Sequence, residues 1–341
     1  MKAMRGAVWG LMAALLIAGG ALVVSAGPLR LGWPNSGEGT WSNAAGMALY
    51  RSEHAASVLN GRIYVAGGLA GPDNNFAGVT SSFASYDPVA DSWREEELVP
   101  EELHHMGIAA LDGRIYITGG YTDSDFTVDN KKVYVFNPEA PAGSRWTRAA
   151  DMPENRAAHA SAVIGNLLYV VGGLGKNSAQ LWVYDPATNS WDATRALLPT
   201  QREHLAAVAL NGKLYAVGGR WGGLGNLSTL EEYNPARNTW TRRPNMPTPR
   251  SGLTAAVVHG RIHVTGGEDL GSSNTFNDHE VYNPNLNRWD RFADMPTARH
   301  GLPSAAIGTR WYVIGGGLQA GGQTYGSLTN IVELFTVVAN D

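Results

Sequence analysis

No cysteine occurs anywhere in the 341 residues. Disulfides, thiolate zinc sites, thiol nucleophiles and iron–sulfur clusters are therefore excluded. Charge is sparse as well: Asp, Glu, Lys and Arg make up 16% of the chain, and the formal net charge is -4. No basic stripe of the kind that polyanions require is present, so nucleic acid is not an expected partner. Catalytic signatures are missing too. There is no His-Glu-x-x-His, no phosphate loop, no Gly-x-Ser-x-Gly elbow and no dinucleotide fingerprint. Beyond the N-terminus, no apolar run is long enough to span a bilayer.

The N-terminus itself has an export pattern. Lys2 and Arg5 precede an uncharged, mostly apolar run from Ala7 to Val24, and Val24-Ser25-Ala26 supplies the small residues of a cleavage site. The expectation is a signal peptide over residues 1–26, with an uncleaved membrane anchor as the alternative. Either places the bulk of the protein outside the cytoplasm: secreted, periplasmic or at the cell surface. Residues 27–39 read as a Gly/Pro tether, and residues 40–341 as one repeat domain.

Glycine and aromatic residues are what the chain has in quantity, with 42 Gly, 11 Trp and 13 Tyr. They recur in register. Gly-Gly pairs stand at Gly67, Gly119, Gly172, Gly218, Gly266 and Gly315, with steps of 52, 53, 46, 48 and 49 residues. Trp41, Trp93, Trp146, Trp191, Trp240 and Trp289 keep nearly the same steps. Two independent markers with one period imply a six-fold internal repeat. An aromatic ring precedes each Gly-Gly pair by three residues: Tyr64, Tyr116, Tyr169, Tyr215, His263 and Tyr312. Five units carry an aromatic followed by Asp-Pro or Asn-Pro, as in Tyr86-Asp87-Pro88 and Tyr184-Asp185-Pro186. Asn60-Gly61, Asp112-Gly113 and Asn211-Gly212 are hairpin turns at a matching position. Each unit accordingly predicts four short strands. In the third unit these lie near Ala158–Ile164, Leu167–Val171 and Gln180–Tyr184, with the last around Trp191.

A repeat of about 50 residues with four strands is a propeller blade. The order strand, hairpin, strand, Gly-Gly, Tyr-Asp-Pro, Trp resembles the kelch repeat over residues 41–341. The resemblance implies an all-β, six-bladed kelch-type β-propeller with four-stranded blades. The last unit lacks its own Trp, so the strand around Thr40-Trp41 is expected to pair into the last blade and close the ring.

Arg51, Arg156, Arg202, Arg250 and Arg299 each lie sixteen residues before a Gly-Gly pair, and Leu103 takes that place in the second unit. A Pro three residues earlier in five units puts them at the start of the innermost strand. They are therefore expected to form an Arg-rich rim at one end of the central channel, suited to a carboxylate or phosphate. The competing expectation is that each Arg pairs with a neighbouring acid, with Glu53, Glu203 and Glu268 as candidates. His104 and Trp221 are further candidates for the ligand-binding rim, and Phe76, Trp221 and Tyr325 either fold back as loop packing or offer rings for stacking on a sugar. His104, His105, Asp123 and Asp125 belong to segments that reach the same rim and could converge on one metal, but no ligand spacing supports it, and no cofactor is expected.

The family resemblance brings three further readings. Galactose oxidases use a Tyr–Cys cross-link, which the absence of Cys eliminates. Nitrile-specifier proteins use Glu-x-x-x-Asp-x-x-x-His, a spacing not found here. Exported bacterial sialic acid mutarotases are similar in fold, size and compartment, and the likeness makes Glu268, directly after Gly266-Gly267, a candidate acid/base. Their following Arg has no counterpart between Asp269 and Asp278, which leaves Arg250 or Arg299 to substitute. The primary expectation is an exported, monomeric binding protein for a protein segment or carbohydrate, with an anionic ligand favoured by the Arg rim. A mutarotase-like enzyme and a purely structural extracellular module are the alternatives.

Overall fold

The computed structural model describes residues 39–338. The expected signal peptide (1–26) and all but the end of the expected tether (27–39) lie outside the described residues. Gly39, placed in the tether from sequence, is the first residue of a strand.

The architecture is all-β, with the antiparallel four-stranded sheets of a β-propeller. Among the described residues there are five such sheets and a sixth whose four strands carry a short extra strand, Asn274–Thr275; they are here sheets I to VI. Their innermost strands are Ala55–Leu59, Gly107–Leu111, Ala160–Ile164, Ala206–Leu210, Ser251–Val258 and Ser304–Ile307. Two small ribbons decorate the connecting loops, one of them Arg220–Trp221 paired with Gly225–Asn226. No helix of the described residues is long and apolar enough to cross a membrane.

Sheet III shows how the repeat is built. Its strands are Ala160–Ile164, Leu167–Val171, Trp182–Asp185 and Ser190–Asp192. The first begins two residues later than its spacing predicts, because Ala158 has a left-handed φ of 52°, outside the extended region. In sheet VI the strands Ser304–Ile307, Arg310–Gly317 and Leu328–Val337 are completed by Gly39–Ala44, which pairs antiparallel to the C-terminal strand with Trp41 opposite Phe335.

The core lies between successive sheets rather than within any one. Ala55, Tyr64 and Phe83 of sheet I pack with Ile115, Ile117 and Phe136 of sheet II. The pattern repeats to Ile63, Val65 and Tyr86 of sheet I against Tyr312, Ile314 and Val332 of sheet VI. The repeated Trp has a polar duty beside its packing. Its indole Nε1 donates to a carbonyl in the connection between sheets: Trp93 to Ala45 at 2.7 Å, Trp191 to Ala150 at 2.9 Å, Trp240 to Ala196 at 3.0 Å and Trp41 to Ala293 at 2.7 Å. A buried indole N–H needs such an acceptor. The fixed spacing of Trp after the turn thus reflects a bond that staples one unit to the one before.

In each sheet, antiparallel pairing puts the hairpins at one end. The segments after Gly-Gly and the connections between units emerge at the opposite end. That loop-bearing end carries the candidate site.

Candidate functional site

The residue two positions after the repeat Arg (Leu103 in the second unit) has a left-handed backbone in all six units. These are Glu53, His105, Ala158, His204, Gly252 and Gly301, with φ between 49° and 62°. Their backbones form a closed circuit. The N–H of His105 donates to Glu53 O at 2.9 Å, Ala158 to His105, His204 to Ala158, Gly252 to His204, Gly301 to Gly252, and Glu53 to Gly301 at 2.7 Å. Below it, the innermost strands surround a cavity of about 200 Å³, lined by residues such as Ala56, Ile108, Ser161 and Thr254. The strained φ has a clear use: it turns each chain so that its N–H and C=O point around the channel instead of along a strand.

Three of the six circuit positions, Ala158, Gly252 and Gly301, are small, and the other three carry chemistry. At Gly301 a Cβ would collide with the Glu53 carboxylate and the Ser52 hydroxyl, so glycine there makes room for Glu53. Glu53 Oε2 is 3.2 Å from His105 Nε2, and His105 Nε2 is 3.0 Å from His204 Nε2. A second tier surrounds this group. Arg220 donates from Nε to Glu203 at 2.7 Å and from Nη1 to Glu268 at 2.5 Å. Glu203 also contacts His204 Nδ1. The other Glu268 oxygen lies 3.2 Å from His300 Nδ1 and accepts from Gly321 N at 2.8 Å. Burial pushes the Glu53 carboxyl up to about 7, against the pull of nearby His300. Burial also pushes His104 and His105 down to about 3, and His204 well below the ordinary imidazole value.

The five repeat arginines are not here, which corrects the expectation of an Arg-rich rim. Arg51, Arg156, Arg202, Arg250 and Arg299 are 0–1% exposed. Each guanidinium turns away from the channel mouth into its own sheet. Arg202 meets Glu231 at 2.6 Å, Arg250 meets Glu280 at 3.1 Å and Arg299 meets Glu333. Arg156 lies 3.7 Å over the Trp182 ring, and Arg51 donates to Ser82 Oγ at 3.0 Å and Gly67 O at 3.2 Å. Glu53, Glu203 and Glu268 are therefore not their partners. The actual partners Glu231, Glu280, Glu333 and Trp182 all stand two residues before the aromatic of the third strand. That repeat position could have been read from the sequence.

The remaining candidates divide. His104 is at the mouth and buried, with Nδ1 2.6 Å from His105 Nδ1 and Nε2 2.7 Å from Asp123 O. Asp123 presents only that carbonyl; its carboxylate accepts from Thr127 and Val128 within its own loop. Trp221 is half-buried in the loop ribbon of sheet IV. Phe76 and Tyr325 pack on each other with centroids 4.8 Å apart, as loop packing rather than as free sugar platforms. Glu268 does meet an arginine, but it is Arg220 rather than Arg250 or Arg299. Arg220 follows Gly218-Gly219 just as Glu268 follows Gly266-Gly267, so the pair was visible as one repeat position in adjacent units. Both Glu268 oxygens are held by chain groups, and the residue is 2% exposed. It is a structural anion here more than a free acid/base.

The family model described as the KLHDC2/KLHL20/DRC7 Kelch-repeats domain matches residues 103–316, and a Kelch motif model matches residues 50–100. The chain belongs to the kelch-repeat family. Among curated kelch proteins it is 30% identical over 221 residues to Kelch-like protein terF of Aspergillus terreus, covering 59% of this chain and 47% of that one. It is 26% identical over 211 residues to Kelch-like protein 36 of Rattus norvegicus, covering 59% and 33%. It is 26% identical over 213 residues to Beta-scruin of Limulus polyphemus, covering 58% and 22%. The chain thus spans less than half the length of each of these kelch relatives.

Proposed function

We propose that the chain is a six-bladed, closed kelch propeller that binds a protein segment across its loop-bearing end. Kelch domains generally bind protein partners. The closed circuit of backbone hydrogen bonds from Glu53 through Gly301 supports six blades and closure. One observation carries the functional reading. Phe126, Val128, Leu224, Leu270 and Leu318 are exposed large apolar side chains, and all lie in loops that follow Gly-Gly pairs. They stand at the same end of the sheets as Glu53, Glu203, Glu268 and Arg220. Apolar anchors about a polar centre are the makeup of a protein-binding surface. The mutual stacking of Phe76 and Tyr325 weighs against a sugar platform. The burial of the five arginines weighs against an anionic ligand.

The test is a comparison of two variants as baits in quantitative crosslinking. Leu224→Asp/Leu270→Asp changes the loop-bearing end, and Leu286→Asp changes an equally exposed leucine at a hairpin of the opposite end. Truncating an interface anchor typically costs enough to lower affinity about tenfold or more. Partners should be lost from the double variant by at least that factor and kept by Leu286→Asp. Equal retention by both variants would sink the reading.

A further inference from the structure

We propose that Glu53, His105 and His204 form a binding site for one divalent transition-metal ion at the loop-bearing end of the channel. The inference is independent of what binds to the loops above it. The three ligand atoms lie within 4.8 Å of one another. Their separations of 3.0 and 3.2 Å are close to the ~3.3 Å expected between donors placed ~2.0–2.1 Å from a tetrahedral ion.

The hydrogen-bond network decides where the imidazole protons are. His104 Nε2 faces the carbonyl oxygen of Asp123, which can only accept, so Nε2 carries the proton. His104 Nδ1 is then an acceptor, and the proton between it and His105 Nδ1 belongs to His105. A neutral His105 so held has a bare Nε2 lone pair, and it faces the cluster. His204 gives the same result by another route. Its Nδ1 lies against the Glu203 carboxylate, which favours the tautomer with the proton on Nδ1 and a bare Nε2. The two lone pairs point toward each other, with a carboxylate oxygen of Glu53 beside them. With Glu53 ionised, three acceptors converge with no proton among them. Such a group repels itself unless a cation stands at its centre.

The surroundings agree with a cation. Glu203 and Glu268, joined by Glu53 when it is ionised, supply negative charge, and Arg220 supplies one positive charge. Arg220 Nη2 is 3.3 Å from both ring nitrogens of His204, so it lies over the ring face and off the Nε2 lone-pair direction. A carboxylate on the far nitrogen of one imidazole, and a histidine relay on that of the other, are the outer-shell supports that fix ligating histidines. All three ligands sit on the hydrogen-bonded backbone circuit, which holds their origins rigidly. Two imidazoles and one carboxylate suit Zn²⁺, Fe²⁺ or Co²⁺ over Mg²⁺ or Ca²⁺.

The experiment titrates the full chain, first treated with chelator, with Zn²⁺ by calorimetry and with Co²⁺ by visible spectroscopy. One equivalent of Zn²⁺ should bind. Co²⁺ should give intense d–d bands of a low-coordinate site with nitrogen ligands. His204→Ala should lower affinity by at least a hundredfold, and Glu203→Gln, which touches no metal, by about 10–100-fold. His159→Ala, a channel histidine outside the cluster, should leave binding unchanged. Absence of stoichiometric binding would overturn the proposal, as would binding that His204→Ala leaves intact. Should that variant fail to fold, the wild-type Co²⁺ spectrum still decides: the pale spectrum of the hexaaquo ion would refute the site.

Discussion

Arg202 shows why a repeated charged residue need not be a binding residue. Its guanidinium and the Glu231 carboxylate are 2.6 Å apart, with side chains 0% and 3% exposed. Arg202 Nη1 also donates to Thr200 O and Nη2 to Ala216 O, so it ties three segments of one sheet together. Removing one partner leaves the other as an uncompensated buried charge. Arg202→Ala should therefore destabilise the protein by about 3–5 kcal/mol in denaturant titration. A loss below about 1 kcal/mol, the range of surface pairs, would show that the pair is not sealed from water. The sequence made Arg202 conspicuous but did not say which way it pointed. That choice depends on the acid in the third strand, which comes beside the arginine only after the sheet has paired.

At the scale of the element, the strand Gly39–Ala44 is separated in sequence from every other strand of its sheet. It is held by its ladder to Leu328–Val337 and by Trp41. The Trp41 ring packs 5.2 Å from Phe335, 5.8 Å from Trp311 and 5.6 Å from His279. Its Nε1 donates to Ala293 O. Trp41→Ala should cost roughly 3 kcal/mol, as expected for losing a packed indole and its bond. A shift in denaturation midpoint no larger than that of an exposed site such as Val89→Ala would refute a closing role for this strand. The strands of the third unit were legible from spacing to within two residues, because apolar runs between Asn-Gly and Asp-Pro turns have few alternatives. The left-handed residue before each innermost strand was not legible. Glu, His and Ala at those positions carry no signal for positive φ, and the neighbouring units impose it through the backbone circuit.

At the scale of the molecule, buried histidines set the response to pH. His263 and His279 lie 3.0 Å apart among Trp41, Trp311, Phe292 and Phe335. Burial pushes His263 from 6.5 to about 3, and His279 well below its ordinary value. Buried His159 is likewise pushed down to about 3. Such groups take up protons on unfolding. Their contribution is complete above about pH 6.5 and is lost as pH falls toward 3. Glu53 acts in the opposite sense. Its raised carboxyl is protonated in the fold up to about 7, so its contribution shrinks as pH rises from 4.5 to 7. Several histidines outweigh one carboxyl, so the melting temperature should fall as pH is lowered from 6.5 to 4. His263→Gln should reduce the proton uptake on unfolding by about one in that window. An unchanged slope would mean that the pair is hydrated and titrates in the fold.

The sequence by itself determined the repeat, the strands within it and the positions of the turns. These depend on local rules, since Gly and Asn permit backbone shapes that others resist, and alternation of apolar residues selects a strand. Only the tertiary structure decided which polar residues meet. Glu53, His105, His204, Arg220 and Glu268 come from five separate segments of the chain. No local preference draws them together; the packing of the sheets face to face brings these segments of four units to the same channel end. The same packing turned the repeat arginines inward, because a guanidinium beside a third-strand carboxylate is better satisfied there than at the mouth.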